Sequence, residues 1–325
     1  MLTRWAAADM AGQHGRTALV TGANSGIGFH QALELARHGA CVLLASRDPG
    51  RGRAARTAIM AELPAASVEL VQLDLADLDS VARLAGRLLD RAGGLDLLIN
   101  NAGVMAVPRR RTTAQGFELQ FGTNHLGHFA LTVRLLPALF RRPGSRVVTV
   151  SSLVHRLGSI RLDDLQCEHG YGRWRAYSQS KLANALFTVE LDCRLRAADA
   201  GTLSVGAHPG YSRTELLSSG PRLGGGGVSA LVLGLGTRFA GQPAARGALP
   251  VLRAATDPQA HGGDYYGPGG PGEFAGSPRK VRYARKARDE QLAGRLWQAC
   301  EALTGVTFPG PAGCTAPRPP PADLQ

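Results

Sequence analysis

Short apolar segments alternate with longer segments of helical character through the first two thirds of the chain. Each apolar segment is bounded by turn or charged residues, which is typical of a β-strand. The predicted strands are Thr17–Thr21, Cys41–Ala45, Val68–Leu73, Leu95–Ile99, Arg146–Val150 and Leu203–Ala207. The stretches between them are long enough for helices, which we predict at Gly26–His38, Gly50–Glu62, Leu78–Ala92, Gly116–Phe140 and Trp174–Ala197.

This alternation predicts an α/β fold with a doubly wound parallel sheet, the Rossmann fold. Strand, helix and strand in succession form right-handed crossovers, which make the strands parallel and place helices on both faces of the sheet. The segment Leu95–Ile99 is almost continuously apolar, as expected for a strand that is buried on both faces.

The pattern loosens after residue 208, which predicts a small C-terminal extension on the substrate side of a single domain. Helical spacing occurs near Ala244–Ala255 and over Arg285–Leu303, and Asp264–Gly267 is suited to a last strand. We therefore predict an N-terminal extension over residues 1–15, one domain over 16–308, and a proline-rich, disordered tail over 309–325.

The composition, with 44% hydrophobic and 19% charged residues, is sufficient for a large core and excludes wholesale disorder. No segment reaches the roughly 20 apolar residues that a transmembrane span needs. The N-terminus lacks the apolar run of a signal peptide, so we expect a soluble, cytoplasmic protein. The five cysteines include no CxxC pair that would indicate a zinc site.

The net charge of +12 reflects 37 basic and 25 acidic side chains. Basic runs at Arg109–Arg111 and Arg279–Arg288 are suited to nucleic acid or to an anionic membrane. Because no nucleic-acid motif accompanies them, we interpret them as a solvated helix face and expect no nucleic-acid partner. Only Lys181, Lys280 and Lys286 are lysines, so each of these positions draws attention in a chain rich in arginine.

A glycine-rich sequence, Thr21–Gly28, follows the first strand directly and opens the first long helix. Glycines there permit a tight turn and close approach of a pyrophosphate, whose charge the helix N-terminus stabilises. The alternative is an ordinary turn between a strand and a helix. The residues predicted to bind a dinucleotide here are Gly22, Asn24, Ser25, Gly26, Ile27 and Gly28.

The end of the second strand predicts which dinucleotide is bound. NAD-dependent proteins of this fold place an acidic residue there for the ribose 2′-hydroxyl, whereas a basic residue accommodates a 2′-phosphate. Arg47 occupies this position and Asp48 follows it. The sequence therefore predicts a preference for NADP(H), with NAD(H) as the alternative if the register differs by one residue.

The spacing T-G-x-x-x-G-x-G resembles the short-chain dehydrogenase/reductase family, and the later motifs of that family occur in order over about residues 16–303. The sequences at 123–129, 177–184 and 296–305 are similar to the branch that contains retinol dehydrogenases and WW-domain oxidoreductases. Two features depart from that branch: no membrane anchor precedes the domain, and the glycine-rich insertion 262–276 is unusual.

The resemblance implies roles for further residues. Asp74 and Leu75 would lie beside the adenine, and the remaining cofactor contacts would be Asn101, Ala102, Gly103, Tyr177, Lys181, Pro209, Gly210 and Thr214. The implied catalytic residues are Asn124, Ser152, Tyr177 and Lys181. Asn124 would kink its helix and hold a water molecule that relays protons. Ser152 would hydrogen-bond the substrate oxygen, although the sequence alone does not separate it from Ser151.

Tyr177 and Lys181 are four residues apart on a predicted helix, so their side chains share one face. We assign the buried stripe of this helix to another face, at Leu182, Leu186, Val189 and Cys193. A phenol with a pKa near ~10 needs an adjacent cation to act as an acid or base at neutral pH. The alternative is an exposed pair on a solvated helix.

Together these residues predict an NADP(H)-dependent oxidoreductase that interconverts a small lipophilic carbonyl compound and its alcohol. Tyr177 would donate the proton, Ser152 would orient the carbonyl, and Lys181 would lower the tyrosine pKa and bind the nicotinamide ribose. The alternative is an NADP(H)-binding redox sensor or scaffold with little turnover. Assembly into a homo-oligomer stays open at this stage.

Overall fold

The computed structural model describes residues 5–211 and 242–310. Its sheet has the strand order β3-β2-β1-β4-β5-β6-β7-β8. The strands are β1 (Thr17–Thr21), β2 (Cys41–Ser46), β3 (Val68–Gln72), β4 (Leu97–Asn100), β5 (Arg146–Val150), β6 (Leu203–Ala207), β7 (Tyr265–Pro268) and β8 (Pro278–Lys280). All neighbours pair in parallel except β7 and β8, which are antiparallel. The prediction of a doubly wound, mostly parallel sheet is confirmed.

The helices follow the strands much as the sequence predicts. They are α1 (Gly26–Arg37), α2 (Pro49–Glu62), α3 (Leu78–Leu89), α4 (Leu119–Phe121), α5 (Gly127–Phe140), α6 (Arg173–Ala197), α7 (Ala244–Thr256) and α8 (Glu290–Thr304). A π-helical turn over Gly122–Leu126 joins α4 to α5. The predicted helix at 116–140 is therefore interrupted around Asn124.

Two apolar cores lie on opposite faces of the sheet because successive strand residues point to opposite sides. In β1, Leu19 faces the core built with α3, α5, α6 and α8. Its neighbours Ala18 and Val20 face the core built with α1, α2 and α7. None of the helices in the described part of the chain combines the length and apolar character that a bilayer crossing requires.

The strand order places β1 between β2 and β4, so the chain leaves the carboxyl ends of β1 and β4 in opposite directions. Ligands of open α/β sheets bind in the crevice that such a switch point creates. The predicted glycine loop and the Asn100–Gly103 segment both lie at this edge of the sheet, directly after β1 and β4.

The C-terminal part differs from the sequence prediction in two respects. The antiparallel edge strand β8 was not predicted, since three residues with two exposed basic side chains carry no recognisable strand pattern. The basic run at 279–288 is not one helix face, because it contains the end of β8 and a 3₁₀ turn at Arg285–Arg288. Helix α8 begins only at Glu290, where Asp289 caps it by accepting a hydrogen bond from the Leu292 N–H at 3.0 Å.

Residues 5–15, predicted as an extension, contact the domain. Met10 is buried in the core on the α1 side of the sheet. Ser277 donates a hydrogen bond to the Trp5 carbonyl at 2.9 Å. Predicted features that lie outside the described residues are Thr214 and nearly all of the tail.

Candidate active site

Thr21 joins the turn after β1 to the turn after β4. Its hydroxyl accepts hydrogen bonds from the backbone N–H groups of Asn101, at 2.9 Å, and Ala102, at 3.0 Å. The Asn101 amide in turn donates to the Thr21 carbonyl at 2.8 Å. Two segments that the sequence assigns to cofactor binding are therefore one connected unit at the switch point.

Close packing between these turns requires a glycine at position 28. A Cβ atom on Gly28 would lie 2.5 Å from the Gly22 carbonyl oxygen and 2.6 Å from the Asn101 side-chain nitrogen. Any larger residue would separate the glycine loop from the turn after β4. This contact explains Gly28 by packing within the protein, and the close approach of a pyrophosphate stays a prediction.

Helix α1 begins without a side-chain cap. Ser25 is the N-cap residue, in extended conformation, and its side chain makes no capping hydrogen bond. The first N–H groups of a helix have no acceptor within the helix, and together with the helix dipole they attract an anion. Half-buried Asn24 and Ile27 flank this position. The loop therefore offers a phosphate site of the kind that the sequence predicts.

Arg47 and Asp48 differ in what their side chains do. Arg47 is exposed immediately after β2, and its guanidinium makes no hydrogen bond or ion pair with residues 5–211 or 242–310. The Asp48 carboxylate caps α2 by accepting from the N–H groups of Gly50, at 2.8 Å, and Arg51, at 3.1 Å. These backbone hydrogen bonds hold the pKa of Asp48 below its usual value.

Asp74 and Leu75 follow β3 at the same edge of the sheet as the glycine loop after β1. Asp74 accepts a hydrogen bond from the Ala76 N–H at 2.9 Å, and its own N–H donates to the Ser80 hydroxyl at 3.0 Å. Leu75 is buried against the start of α5, where a Cβ atom on Gly127 would lie 2.4 Å from its carbonyl oxygen. The turn after β3 is thus fixed by its own hydrogen bonds and by packing.

Asn124 lies in the π-helical turn and is fully buried. Its side chain makes a reciprocal pair of hydrogen bonds with Val104, accepting from the N–H at 2.7 Å and donating to the carbonyl at 2.9 Å. It also donates to the Ser180 hydroxyl at 3.0 Å. The predicted break in the helix at Asn124 is present, and the side chain braces the segment after β4 against α6.

His128, which the sequence analysis did not single out, connects the π-helical turn to the glycine loop. Its Nδ1 donates to the Asn124 carbonyl at 3.0 Å, so its Nε2 accepts from the Thr21 hydroxyl at 2.9 Å. Burial lowers the pKa of His128 to about 3 and keeps the ring neutral. A histidine four residues after Asn124 was the only signal in the sequence for this contact.

Tyr177 and Ser152 face each other across the crevice. Ser152 follows β5, and the interaction of its side chain with the Tyr177 phenol lowers the phenol pKa. Burial has the larger, opposite effect and raises the pKa of Tyr177 to about 12. The phenol therefore carries its proton at neutral pH, as a proton donor must.

Ser151, the other candidate serine, points away from this contact. Its hydroxyl is buried and donates to the backbone carbonyl of Lys181 at 2.7 Å. Adjacent strand-end residues face opposite directions, so only one of the two serines can face Tyr177.

Lys181 is buried with no acidic partner among the described residues. Its Nζ donates to the Val150 carbonyl at 3.2 Å and lies 5.9 Å from the centre of the Tyr177 ring. Burial lowers the pKa of Lys181 to about 8. Burial and the interaction with Ser152 set the pKa of Tyr177, so the predicted lowering of this pKa by Lys181 is not observed.

The buried stripe predicted for α6 at Leu182, Leu186, Val189 and Cys193 is too narrow, because Cys193 is only half-buried and the face that carries Tyr177 and Lys181 is buried as well. Every residue from 179 to 192 of this helix is buried, because α6 packs against the sheet, the π-helical turn and α8. Tyr177 is 5% exposed and Lys181 is 3% exposed. The alternative of an exposed pair on a solvated helix is therefore excluded.

The turn after β6 contains Pro209 and Gly210 at the same edge of the sheet. The Gln242 side chain donates to the Pro209 carbonyl at 2.7 Å, and the Tyr211 N–H donates to the Phe274 carbonyl at 2.8 Å. The Gly210 N–H donates to Nδ1 of buried His208 at 3.2 Å. The glycine-rich insertion at 262–276 therefore lies directly against this turn.

The geometry agrees with a family already known. A family model for short chain dehydrogenase matches residues 16–221. The chain belongs to the short-chain dehydrogenase/reductase family. Members of this family are oxidoreductases that bind NAD(H) or NADP(H). The predicted likeness to the retinol dehydrogenase branch is confirmed by the relatives of the chain.

Human retinol dehydrogenase 13 is 41% identical over 305 residues, which cover 91% of this chain and 86% of the human protein. Mouse polyprenol dehydrogenase is 40% identical over 302 residues, which cover 90% of this chain and 85% of the mouse protein. The crystal structure of an uncharacterized protein from Mycobacterium paratuberculosis is 45% identical with a TM-score of 0.77. That match covers 94% of this chain and 100% of the crystallised chain.

The described residues fit a nicotinamide dinucleotide. The uncapped start of α1 suits a pyrophosphate, and the buried Lys181 ammonium has no anionic partner among residues 5–211 and 242–310 that would compete with ribose hydroxyls. A Cβ atom on Gly103 would lie 3.1 Å from the Asn124 amide oxygen and 3.6 Å from Lys181 Nζ. Glycine at this position keeps the approach to both groups open.

Proposed function

We propose that this protein is an NADP(H)-dependent oxidoreductase that interconverts a lipophilic aldehyde or ketone and its alcohol. The observation that carries this proposal is the set formed by buried Tyr177 and Lys181 with half-buried Ser152 beside the switch-point crevice. Burying an ammonium and a phenol is costly, and such groups are common at catalytic sites. Asn124 completes the proposed set through the π-helical turn.

The bound nicotinamide supplies the hydride to the carbonyl carbon, or accepts it in the reverse direction. Ser152 would hydrogen-bond the carbonyl oxygen and place it next to the Tyr177 phenol. Tyr177, with a pKa of about 12, holds the proton that converts this oxygen to a hydroxyl. Lys181, with a pKa of about 8, is mostly protonated at pH 7 and can replace that proton.

Two observations support a lipophilic substrate. The relatives are named for retinol and polyprenol, both long apolar alcohols. Large apolar side chains are also exposed near the proposed reacting groups: Trp174 packs edge-on against Tyr177 with 40% of its surface exposed, and Leu157 is 82% exposed five residues after Ser152. Exposed apolar side chains grouped at a site favour an apolar ligand.

The proposed preference for NADP(H) rests on the different contacts that the Arg47 and Asp48 side chains make. A carboxylate that discriminates in favour of NAD must be free to accept hydrogen bonds from the ribose. The Asp48 carboxylate already accepts two backbone hydrogen bonds at the start of α2. Arg47 is exposed and has no hydrogen bond or ion pair with the described residues, although its charge acts on the neighbouring Asp48, so its guanidinium is available to a 2′-phosphate.

A two-stage experiment tests the proposal. NADPH and NADH are titrated into the parent, into Arg47→Asp and into Arg53→Asp, an exposed arginine on α2 that serves as a matched control. We expect tighter NADPH binding in the parent and the control, and the reverse order in Arg47→Asp. Equal affinity of the parent for both cofactors would contradict the cofactor preference.

The second stage measures turnover of the parent and Tyr177→Phe with a series of aldehydes and ketones of increasing apolar length. We expect Tyr177→Phe to bind NADPH normally and to lose kcat by about 10²-fold or more, the size of a lost acid–base contribution. A parent that binds NADPH without reducing any carbonyl would favour the sensor or scaffold alternative. Cytoplasmic location stays a prediction, which cell fractionation would test. Homo-oligomer formation also stays a prediction, which size-exclusion chromatography would test.

A further inference from the structure

A buried histidine connects the Pro209–Gly210 turn to the glycine-rich insertion. His208 has no exposed side-chain surface; its Nδ1 accepts from the Gly210 N–H at 3.2 Å, and its Nε2 donates to the Glu273 carboxylate at 2.9 Å. Gly267 makes room for the ring, since a Cβ atom there would lie 2.1 Å from His208 Nε2. The imidazole is thus held in one orientation, with both nitrogens in use.

Glu273 continues the connection to the turn that carries Ser152. Its second carboxylate oxygen accepts from the Arg156 guanidinium at 2.7 Å. The hydrogen bond from His208 and the contact with Arg156 lower the pKa of Glu273 to about 2, so the carboxylate is ionised at every working pH. Arg156 ends the short 3₁₀ turn Leu153–Arg156, for which Ser152 is the N-cap.

Glu273 has a backbone conformation that favours glycine, so the contacts of its carboxylate explain why a glutamate occupies this position. Its φ is +60°, in the left-handed region where glycine is favoured over residues with a Cβ. The insertion around it is rich in glycine, yet this position carries a carboxylate that bonds two different turns. A glycine would suit the backbone and would lose both contacts.

Two further contacts fix the Ser152 turn to the same C-terminal part of the chain. His155 donates from Nδ1 to the Ser152 carbonyl at 2.7 Å, and its Nε2 accepts from the Ala284 N–H at 3.1 Å. Burial lowers the pKa of His155 to about 4, so the ring stays neutral and keeps its acceptor. The Ser152 turn is therefore anchored both through Arg156 and through His155.

We propose that the Arg156–Glu273–His208 chain is a positioning device that sets the distance between the Ser152 hydroxyl and the Pro209–Gly210 turn. This inference rests on the proposed function, in which Ser152 orients the carbonyl and the turn after β6 contacts the cofactor. Hydride transfer needs the carbonyl carbon and the cofactor at close range and in fixed orientation, and a small displacement costs rate steeply. Residues of the insertion would thus act on the reaction through Ser152 and Gly210 without touching the substrate.

The test compares Glu273→Ala, which removes both contacts, with Glu273→Gln, which keeps a hydrogen-bond acceptor. Glu69→Ala is the matched control, because it breaks the Arg91–Glu69 ion pair, which is also 2.7 Å long. This pair lies at β3, at the opposite end of the strand order from β7 and β8. We expect kcat to fall roughly tenfold in Glu273→Ala, with a smaller loss in Glu273→Gln and none in the control. The NADPH dissociation constant should rise about threefold in Glu273→Ala, because the Gly210 turn is released.

A double-mutant cycle with Ser152→Ala separates positioning from general loosening of the fold. If Glu273 acts through Ser152, Glu273→Ala should cost at most about threefold in kcat when Ser152 is already absent. Equal losses of kcat with and without Ser152 would overturn the inference. It would also be overturned if Glu273→Ala and the control Glu69→Ala had the same kcat and the same NADPH dissociation constant. Failure of the parent to bind NADPH would instead overturn the proposed function, and this inference with it.

Discussion

Replacing Lys181 with methionine should stabilise the protein while abolishing its activity. Burial lowers the pKa of Lys181 from its ordinary 10.5 to about 8. One pKa unit corresponds to about 1.4 kcal/mol, so holding the ammonium in the folded state costs about 3 kcal/mol. Methionine fills a similar volume without a charge and removes this cost.

The replacement also removes a hydrogen bond, which reduces the gain. Lys181 Nζ donates to the Val150 carbonyl at 3.2 Å, but the Asn184 amide donates to the same oxygen at 3.1 Å. The carbonyl therefore keeps a partner in Lys181→Met, and the loss is about 1 kcal/mol. The expected net gain at pH 7 is about 2 kcal/mol, or a rise in Tm of about 4 °C for a domain of this size.

The gain should depend on pH with a defined sign. The pKa of this lysine is lower in the folded than in the unfolded state, so the folded state binds fewer protons between about pH 8 and 10.5. The cost of the buried charge is complete below about pH 8 and disappears as the pH rises toward 10.5. The stability advantage of Lys181→Met should therefore shrink over this window.

Thermal and urea unfolding of the parent and Lys181→Met between pH 7 and 10 measure this difference, because other groups titrate alike in both proteins. Lys280→Met is the control, since it removes a surface lysine that pairs with Asp264 at 2.7 Å. It should give no stabilisation. A variant less stable than the parent at pH 7, or a gain that is independent of pH, would refute the reasoning.

Three other substitutions test the arrangement around Lys181. Ser152→Ala should lower kcat by about 10²-fold with little change in Tm. Ser151→Ala should leave kcat within a few fold and lower Tm, because the Lys181 carbonyl loses its 2.7 Å donor. Steady-state kinetics measures kcat, and calorimetry measures Tm. Equal kinetic losses would contradict the assignment of Ser152. His128→Leu should destabilise the protein by about 2 kcal/mol and weaken NADPH binding, since the Thr21 hydroxyl and Asn124 carbonyl lose their shared partner. Cofactor titration checks this, with exposed His169→Leu as the control.

The sheet was predictable because each buried strand is a short apolar run with a distinct boundary. Strands β1, β5 and β6 have the predicted bounds, and the helices differ by a few residues. The site residues were implied mainly by the resemblance to the short-chain dehydrogenase/reductase family, and the fold adds a reason why several of them lie together. Parallel strands all place their carboxyl ends at one edge, so motifs that follow successive strands must meet there.

What the sequence did not show depends on contacts between distant residues. A helix over 116–140 with a kink at Asn124 was predicted, but no local pattern showed that Gly122–Leu126 forms a π-helical turn. His128 bonds Thr21 across 107 positions, and Arg156 bonds Glu273 across 117. Hydrophobic periodicity reports which face of an element is buried. It does not show which buried polar groups will form hydrogen bonds with each other.

Histidine recurs around the site as a neutral connector that uses both ring nitrogens. The pairs of partners are Asn184 and Cys300 for His125, Asn124 and Thr21 for His128, Ser152 and Ala284 for His155, and Gly210 and Glu273 for His208. Burial lowers the pKa of each of these rings, so each keeps one donor and one acceptor at neutral pH. Lys181 already places one uncompensated charge in this region, and a second buried cation nearby would raise the cost of both. Neutral imidazoles can brace the turns around Ser152, Asn124 and Gly210 without adding to that charge.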